Sequence, residues 1–358
     1  MAGFRIFLKS GHSPTLFASF LYFAFSCCIW VLNGAMAPFI SETYNLSPAQ
    51  KGLMLSIPIM AGALMRFPLG LLSQYIGRKK ATLVEMGLIM VAMLFGFFYV
   101  KSFNDLLAMG VLLGIAGASF GVALSLGSGS FPARHKGLAM GIVGAGNVGT
   151  AVCVLVAPPL AQAFGWITVY GFAAVAIAIP MVVMAIFAQE PADLDPHASL
   201  KEHISCLFEK DGWAFSMIYA VTFGGFVGLI TFLPTYYYDQ FGVSKVQAGQ
   251  LTMLAAFMGA ALRVFGGWIS DRWGGVNTLN IVLTVVAVTL VACGLSGCSL
   301  VLTTLLMSLC FAALGAGSYM WGFILFASLA VVMLFMLRTM QVRWTRTWAE
   351  KGGRARSN

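Results

Sequence analysis

Two arginines lie deep inside long apolar segments of the sequence. Arg66 follows Gln50 by sixteen residues, and Arg263 follows Gln247 by the same distance. An arginine at such depth in a membrane span costs at least ~2.5–3.5 kcal/mol, so it normally faces a cavity or a partner. A guanidinium group donates parallel hydrogen bonds in a fixed fork, which suits a small planar oxyanion better than the point charge of a lysine does.

The acidic residues do not supply a counter-charge at the same depth. Six of the twelve lie between Gln189 and Asp211, and the others except Glu85 lie at span ends, in loops or in the C-terminal tail. Glu85 lies about one turn from the basic loop 78–80, with which we expect it to pair. We therefore predict that a bound anion is the counter-ion of both arginines; the alternative is a structural role, in which they bond to carbonyls.

The composition is that of a membrane protein. Of 358 residues, 59% are apolar and 9% charged, with a mean hydropathy of +0.89, whereas soluble proteins carry roughly 25% charged residues. A soluble enzyme, a disordered chain and a collagen-like chain are thereby excluded. The net charge of +9 lies mostly in short loops and the tail, so we expect no nucleic-acid partner. Motifs of nucleotide-binding, metalloprotease or hydrolase sites are missing from the sequence, and we predict neither an enzyme nor a cofactor.

The apolar segments predict the domain organisation. A membrane-spanning helix needs roughly 20 mostly apolar residues. Candidate spans cover residues 15–40, 50–73, 81–100, 105–130, 137–162 and 166–188, then 212–237, 247–270, 277–297, 299–317 and 318–338. We predict an all-α polytopic protein. Its parts are an N-terminal six-helix bundle (1–188), a cytoplasmic linker (189–211), an incomplete C-terminal bundle of about five helices (212–338) and a basic tail (339–358).

The two halves repeat each other in the same direction. SPAQKG at 47–52 matches SKVQAG at 244–249, and GALMRFPLGLLSQYIG at 62–77 matches GAALRVFGGWISDRWG at 259–274. At an offset of 197, Gly62, Arg66, Gly70, Ser73 and Gly77 recur as Gly259, Arg263, Gly267, Ser270 and Gly274. Such repeats are typical of two-bundle carriers. They predict that the two arginines face each other across a central cavity.

The distribution of basic residues predicts the topology and a missing helix. With the N-terminus inside, the inner loops hold ten lysines and arginines and the outer loops three, as the positive-inside rule requires. The tail after residue 337 holds six more basic residues. Twelve membrane spans would place this tail on the inner side, whereas eleven spans would place it on the outer side. Residues 299–338 form one apolar stretch; as one helix it would be ~60 Å long, about twice the hydrocarbon core. The second half therefore looks one helix short.

A glycine-rich stretch covers residues 137–149, with the sequence GLAMGIVGAGNVG. Small residues three or four apart let helix backbones approach closely, and packing alone explains most of these glycines. Asn147 lies in the same stretch and needs polar partners. Those partners are either a ligand or a neighbouring carbonyl.

Several motifs carry a resemblance to a known family. GLLSQYIGRKK after the second predicted helix resembles the loop motif of the major facilitator superfamily, although Gln74 stands where that motif usually has an acidic residue. More specifically, the chain resembles the nitrate/nitrite porter family. GALMRFP and GAALRVFGG match its arginine-bearing second and eighth helices, and FPARHKGLAMGIVGAGNVGTAV matches its first glycine-rich motif. SFGVALSLGSGSFP matches its fourth helix and IYAVTFGGFVG its seventh.

The resemblance implies a carrier of nitrate and nitrite in the inner membrane. We predict that it works by alternating access as a monomer and exchanges nitrate for nitrite, because an anion between two positive charges favours closure of the loaded carrier. By that resemblance Arg66 and Arg263 clamp the anion, Phe120 stacks against it and Tyr219 donates a hydrogen bond to it. The residues expected to line the moving helix are Gly144, Gly146, Asn147 and Gly149. Proton symport would more naturally use a carboxylate or histidine in the cavity, and the sequence places none there.

The chain departs from the family near its end. The family's second glycine-rich motif, in helix eleven, does not occur in the sequence; LSLCFAALGAG resembles helix ten and SYMWGFILFASLAVVMLFMLR helix twelve. We therefore predict that helix eleven is absent, in agreement with the topology. Two alternatives stay open: an internally deleted membrane protein that does not transport, and a carrier of the same superfamily for another small anion.

Overall fold

The computed structural model of the chain describes residues 7–191, 223–273, 284–293 and 299–310, with the backbone alone at residues 133, 134, 137, 260–273 and 310. The described residues form helices joined by short connections, with no strand among them. The helices of the first half are α1 Ser13–Trp30, α2 Leu32–Ala35, α3 Ala37–Tyr44, α4 Pro48–Ile76, α5 Arg78–Tyr99, α6 Phe103–Gly117, α7 Ser119–Gly129, α8 Ala133–Gly144, α9 Val148–Phe164 and α10 Trp166–Phe187. Those that follow are α11 Gly225–Phe241, α12 Lys245–Trp273, α13 Thr284–Cys293 and α14 Leu300–Cys310.

Six helical segments of the first half are long and apolar enough to cross a membrane. They are α1, α4, α5 and α10, together with Phe103–Gly129, which joins α6 to α7, and Leu138–Phe164, which joins α8 to α9. Their outer faces expose large apolar side chains such as Leu64, Val175 and Ile186. Lipid covers such faces at no cost in buried polar groups. These six segments overlap the six spans predicted for the first half, and the multi-pass membrane location is confirmed.

The first predicted span, 15–40, is divided into three helices. α1 ends at Trp30, and breaks at Val31 and Met36 separate α1, α2 and α3. Pro38 lies in the first turn of α3, where its missing N–H breaks no hydrogen bond. A Cβ at Gly34 would lie 2.6 Å from the carbonyl oxygen of Thr231 in α11, so the glycine permits a close approach between these helices.

Backbone contacts divide the chain into two compact units. The first consists of Met1–Ala198 and Val227–Val264, and the second of Ser199–Phe226 and Phe265–Asn358. Within the first unit, α1 lies at the centre and packs against α7, α9 and α10, while α4 packs against α6 and α5 against α10. The bundle boundaries at residues 188 and 212 stay predictions.

The sequence repeat marks the same local structure in both halves. At the start of α4, Ser47 Oγ accepts from the Gln50 amide at 3.3 Å, and Gln50 Oε1 accepts from the Ser47 amide at 2.9 Å. At the start of α12, Ser244 and Gln247 form the same pair of bonds at 3.2 and 3.1 Å. This reciprocal arrangement satisfies two main-chain donors that a helix N-terminus leaves without a partner.

The predicted pairing of Glu85 with the basic loop 78–80 is wrong. Glu85 is buried in α5 and accepts a hydrogen bond from the hydroxyl of Tyr22 in α1. The start of α5 binds Glu190 instead, whose carboxylate accepts from the amides of Arg78 and Lys79 at 2.7 and 2.8 Å. A carboxylate is favoured there because a helix N-terminus presents unsatisfied N–H groups and a positive dipole end.

Several predictions concern parts of the chain outside the described residues. They include the linker beyond residue 191, Tyr219, the junction at 314–322, the absent helix eleven and the basic tail. These stay predictions.

Candidate functional site

Arg66 lies within the long span α4 and is half-buried. Its Nε donates to the carbonyl oxygen of Gly117, at the end of α6, over 3.3 Å. Its guanidinium carbon lies 5.7 Å from the centre of the Trp30 ring of α1, within the range of a cation–π interaction. Three helices thus position this guanidinium group inside the membrane-spanning part of the unit.

Trp30 is a residue of this site that sequence reasoning missed. Its indole Nε1 donates to the carbonyl oxygen of Pro58 at 2.8 Å. A Cβ at Gly62 would lie 2.8 Å from the ring, and a Cβ at Gly117 would lie 2.3 Å from it. Both glycines are therefore required by the indole. The available signal was the spacing of Pro58, Gly62 and Arg66, which places them on one face of α4.

Phe120 and Asn147 contact α1, the helix whose Trp30 ring lies beside Arg66. The ring centroid of Phe120 lies 5.2 Å from that of Phe23 in α1. Asn147, which is 1% exposed in the turn between α8 and α9, accepts a hydrogen bond from the thiol of Cys27 at 3.5 Å.

Phe23, Cys27 and Trp30 lie on successive turns of α1, and we call them the α1 contact face. This face brings together three of the residues predicted from the sequence, Phe120, Asn147 and Arg66, because each touches one member of it. They come from three different parts of the chain: α7, the turn before α9, and α4.

The predicted glycines of the moving helix differ in their surroundings. A Cβ at Gly149 would lie 1.8 Å from the carbonyl oxygen of Ala24, and one at Gly146 would lie 2.8 Å from the ring of Phe23. A Cβ at Gly144 would meet no heavy atom within 4 Å. Gly146 and Gly149 thus permit close packing on α1, whereas Gly144 borders open space.

The second half of the predicted site is described only in part. Arg263 lies in α12, and its side chain is outside the described residues, as is the whole of Tyr219. The geometry of the predicted clamp is therefore given for Arg66 alone. Among the described residues, no group of three or more histidine, cysteine or acidic side chains could hold a metal ion.

Charged side chains meet at one end of the first unit, formed by residues 42–51 and 238–245, which we call the ion-pair end. Lys51 Nζ lies 2.9 Å from Asp239 Oδ2. Lys245 pairs with Glu42, which also accepts from the Tyr238 hydroxyl. The hydrogen bond from Lys245, and to a smaller extent the one from Tyr238, lowers the pKa of Glu42.

The acidic residues of the two ion pairs are related by the sequence repeat, whereas the lysines are not. Glu42 and Asp239 are equivalent at the offset of 197, and each binds a lysine of the other repeat. The ends of α3 and α4 are thereby linked reciprocally to the end of α11 and the start of α12.

The chain matches known proteins over most of its length. The Major Facilitator Superfamily matches residues 18–343. The chain is 33% identical over 316 residues to the "Probable nitrate transporter NarT" of Staphylococcus haemolyticus, covering 86% of this chain and 80% of the relative. It is 30% identical over 258 residues to the "Nitrite extrusion protein" of Bacillus subtilis, covering 71% of this chain and 64% of the relative.

Solved structures show the same fold at low sequence identity. The xylose transporter XylE from E. coli superposes with a TM-score of 0.66 at 14% identity, over 94% of this chain and 91% of that one. The human organic anion transporter MFSD10 gives a TM-score of 0.65 at 15% identity, over 93% and 94% of the two chains. These structures and the family match confirm the prediction of a major facilitator fold. The family match and the sequence relatives show a transport protein rather than an enzyme. With the sequence relatives above, these findings establish that the chain belongs to the nitrate/nitrite porter family of the Major Facilitator Superfamily.

Proposed function

We propose that the protein carries nitrate and nitrite across the plasma membrane by alternating access, exchanging one for the other, with Arg66 and Arg263 clamping the anion. The names of the two relatives support this substrate class, one being a probable nitrate transporter and the other a nitrite extrusion protein. The observation that carries the clamp is the position of Arg66, a charged fork held by an indole and a carbonyl within a membrane span.

The contacts of Arg66 prepare it for a planar anion. A guanidinium group has a rigid plane, and a bond from Nε to Gly117 together with the Trp30 ring fixes the direction of that plane. A fork with fixed orientation loses little entropy when it binds an oxyanion. We infer that Arg263, the repeat-equivalent residue of α12, presents a second fork to the opposite side of the anion.

The charges of the two arginines favour exchange. Two guanidinium groups ~8 Å apart repel by about 2 kcal/mol at an effective dielectric of ~20. A monovalent anion between them replaces that repulsion with two attractions, so the loaded carrier closes and the empty one resists closure. Each inward step with nitrate is then followed by an outward step with nitrite.

The ion-pair end fits the outer side of such a carrier. The positive-inside distribution of basic residues supports a cytoplasmic N-terminus, which puts residues 42–51 and 238–245 outside. The two reciprocal ion pairs then hold the outer end shut in this conformation. We propose that the protein works as a monomer of two bundles, 1–188 and 212–338, joined by the linker 189–211.

The test is anion exchange by purified protein in lipid vesicles loaded with nitrite. Losing one charge-assisted hydrogen bond costs roughly 1.5–3 kcal/mol, or roughly 10- to 100-fold in binding. We expect Arg66→Lys and Arg263→Lys each to lower nitrate uptake by at least this factor, because lysine keeps the charge and loses the fork. Arg134→Lys, the same change at the polar start of α8, should leave uptake unchanged.

Each outcome separates the candidate functions. Wild-type exchange in either lysine variant would refute the clamp. Stronger competition by formate than by nitrate or nitrite would indicate a carrier for another small anion. An intact, folded protein that exchanges none of these anions would indicate the non-transporting alternative.

A further inference from the structure

Two cysteines of neighbouring helices lie together in the first unit, and the proposed exchange does not use them. Cys28 belongs to α1 and Cys153 to α9, and both are free thiols in this structure. Their side chains share a hydrogen bond. Cys28 is partly exposed, whereas Cys153 is 1% exposed. The pair therefore consists of one thiol that a small reagent reaches and one that is shielded behind it.

The packing of α9 on α1 explains why the two thiols meet. A Cβ at Gly149 would lie 1.8 Å from the carbonyl oxygen of Ala24, so the two backbones touch there. Further along, α9 also packs against α2, the helix that follows α1, which shows that α1 and α9 run in the same direction. Cys28 and Cys153 each lie one turn beyond this contact.

This arrangement suits a disulfide bond. Two cysteines can be bridged without backbone movement only where their Cα atoms lie within about 7 Å of each other. Small residues let helix backbones approach closely, and the contact between Gly149 and Ala24 provides such an approach one turn away. Together with the hydrogen bond between the thiols, it brings Cys28 and Cys153 within reach of a bond.

The position of Cys153 gives that bond a mechanical consequence. The 3-10 turn Ala145–Asn147 separates α8 from α9, and a turn of this kind within a span often marks a hinge. On another side α9 touches the second repeat, because a Cβ at Gly249 of α12 would lie 2.4 Å from the carbonyl oxygen of Val154. A bond at Cys153 would therefore act on a helix that contacts both repeats, just beyond its hinge.

Thiol–disulfide exchange forms the bond in two steps. The partly exposed thiol of Cys28 loses its proton and attacks a small uncharged disulfide, which gives a mixed disulfide and releases one small thiol. Cys153 then loses its proton and attacks the Cys28 sulfur, which forms the internal disulfide and releases the second small thiol. The two protein thiols lose two electrons and two protons, and the small disulfide takes up both. A thiol reductant reverses the sequence.

We propose that Cys28 and Cys153 are a redox-modification site for small disulfides, and that the bond between them fixes α9 on α1 and stops anion exchange. In the reduced protein α9 is free to move at the turn Ala145–Asn147, and in the oxidised protein it is not. The effect on transport rests on the proposed function, whereas formation of the bond does not.

The first test measures the bond in a full-length protein that keeps Cys28 and Cys153 and has serine in place of its other cysteines. The probe is dithiodipyridine, a small uncharged disulfide that releases one coloured thiopyridone at each exchange step. We expect two thiopyridones per protein and an intact mass two hydrogens below that of the reduced chain. Adding Cys153→Ser should give one thiopyridone and a protein that keeps the pyridyl adduct.

The mass and the colour separate the outcomes of this test. Fewer than two thiopyridones, or a pyridyl adduct retained on the protein that has both cysteines, would overturn the proposal. A second thiopyridone from the Cys153→Ser protein would overturn it as well, because Cys28 would then have another partner.

The second test measures nitrate–nitrite exchange by the wild-type protein in vesicles before and after treatment with the same probe. We expect the treated protein to lose most of its exchange rate and to regain it with dithiothreitol. Cys28→Ser and Cys153→Ser should exchange at the wild-type rate and stay active after treatment. Cys293→Ser is the matched control, because that buried thiol belongs to α13 and its loss should leave the protein as sensitive as the wild type.

Two results of the second test would refute the switch. One is continued exchange by a wild-type protein whose mass shows the internal bond. The other is inhibition of Cys153→Ser to the wild-type extent, which would assign the effect to an adduct on Cys28. If the reduced wild-type protein exchanges neither anion, the proposed function fails, and the mass measurement still decides whether the bond forms.

Discussion

The ion-pair end and the α1 contact face hold helices of the first unit together by different means, and α4 takes part in both. At the ion-pair end, four charged side chains that are 22–51% exposed meet side chains of opposite charge. At the α1 contact face, Arg66 meets an indole and a carbonyl, and glycines of neighbouring helices lie against the ring of Trp30. Exposed ion pairs join the helices at the ion-pair end, whereas close packing around the Trp30 ring joins them at the α1 contact face.

The difference follows from the access of water to each region. Exposed ion pairs contribute about 0–1 kcal/mol and exchange readily with water, so a contact made of them can open and close during a transport cycle. Close packing within the membrane span stabilises the fold through many short-range contacts, and these contacts tolerate little change in side-chain volume. The comparison predicts that steric changes at the α1 contact face have large effects and that charge changes at the ion-pair end have small ones.

The largest expected effect is that of Gly149→Ala on stability. Its Cβ would lie 1.8 Å from the Ala24 carbonyl oxygen and 2.6 Å from the carbonyl carbon, so α9 and α1 must move apart. Overpacking usually costs about 1–3 kcal/mol, and we expect the upper end or more because both clashing atoms belong to the main chain. The measurement is the thermal unfolding midpoint of the purified protein in detergent.

Gly144→Ala is the matched control for that variant. Its Cβ would enter open space, and alanine is favoured over glycine in a helix by up to about 1 kcal/mol. We therefore expect Gly144→Ala to unfold at the wild-type temperature or slightly above it. Equal midpoints for the two variants would contradict the packing explanation of Gly149.

Trp30→Leu comes next, with an effect on anion affinity. A desolvated cation–π interaction contributes up to about 2 kcal/mol, so loss of the indole should raise the KM for nitrate roughly 5- to 30-fold. Trp30→Phe keeps an aromatic face but loses the bond to Pro58, and should fall between leucine and wild type. Trp166→Phe is the control, because that indole donates to Thr43 at 3.1 Å, away from Arg66. An unchanged KM in Trp30→Leu would show that the indole does not position Arg66.

The sequence predicted those features that depend on local pattern. The six spans follow from apolar length. The repeat of Gln50 as Gln247 recurs in the structure as two capping boxes, which depend only on nearby residues. Arg66 was found because a charge in an apolar segment is costly wherever that segment lies.

The features that sequence reasoning missed depend on which helices become neighbours. Trp30 carries no local sequence signal, because its role depends on Gly62 and Gly117 from two other helices. Glu85 was assigned to the nearby basic loop, but its partner Tyr22 lies sixty-three residues away in the chain. The repeat offset relates Glu42 to Asp239, yet only the folded chain shows that each binds a lysine of the other half.

The smallest expected effect is at the ion-pair end. Lys51→Asp places two acidic side chains together and should favour the state in which this end is open, by about 1 kcal/mol or less. The double variant Lys51→Asp with Asp239→Lys restores the pair in reverse and should restore the wild-type population. The measurement is the distance distribution between spin labels at Ala49 and Gln240, both exposed in this conformation. A double variant as open as the single one would show that the pair does not hold this end.

Lowering the pH tests the ion pair between Glu42 and Lys245, because protonation of Glu42 should favour the open state. Because the pKa of Glu42 is lowered by its bonds to Lys245 and Tyr238, the contact stabilises the closed state above the ordinary pKa of a glutamic acid. That contribution is lost as the pH falls through the lowered value. The label distances should therefore shift towards the open state only below the ordinary titration range, and Glu42→Gln should remove this shift. A Glu42→Gln protein that still opens over the same acidic range would place the titrating group elsewhere, and the reciprocal pairs would then be contacts of the closed state rather than its cause.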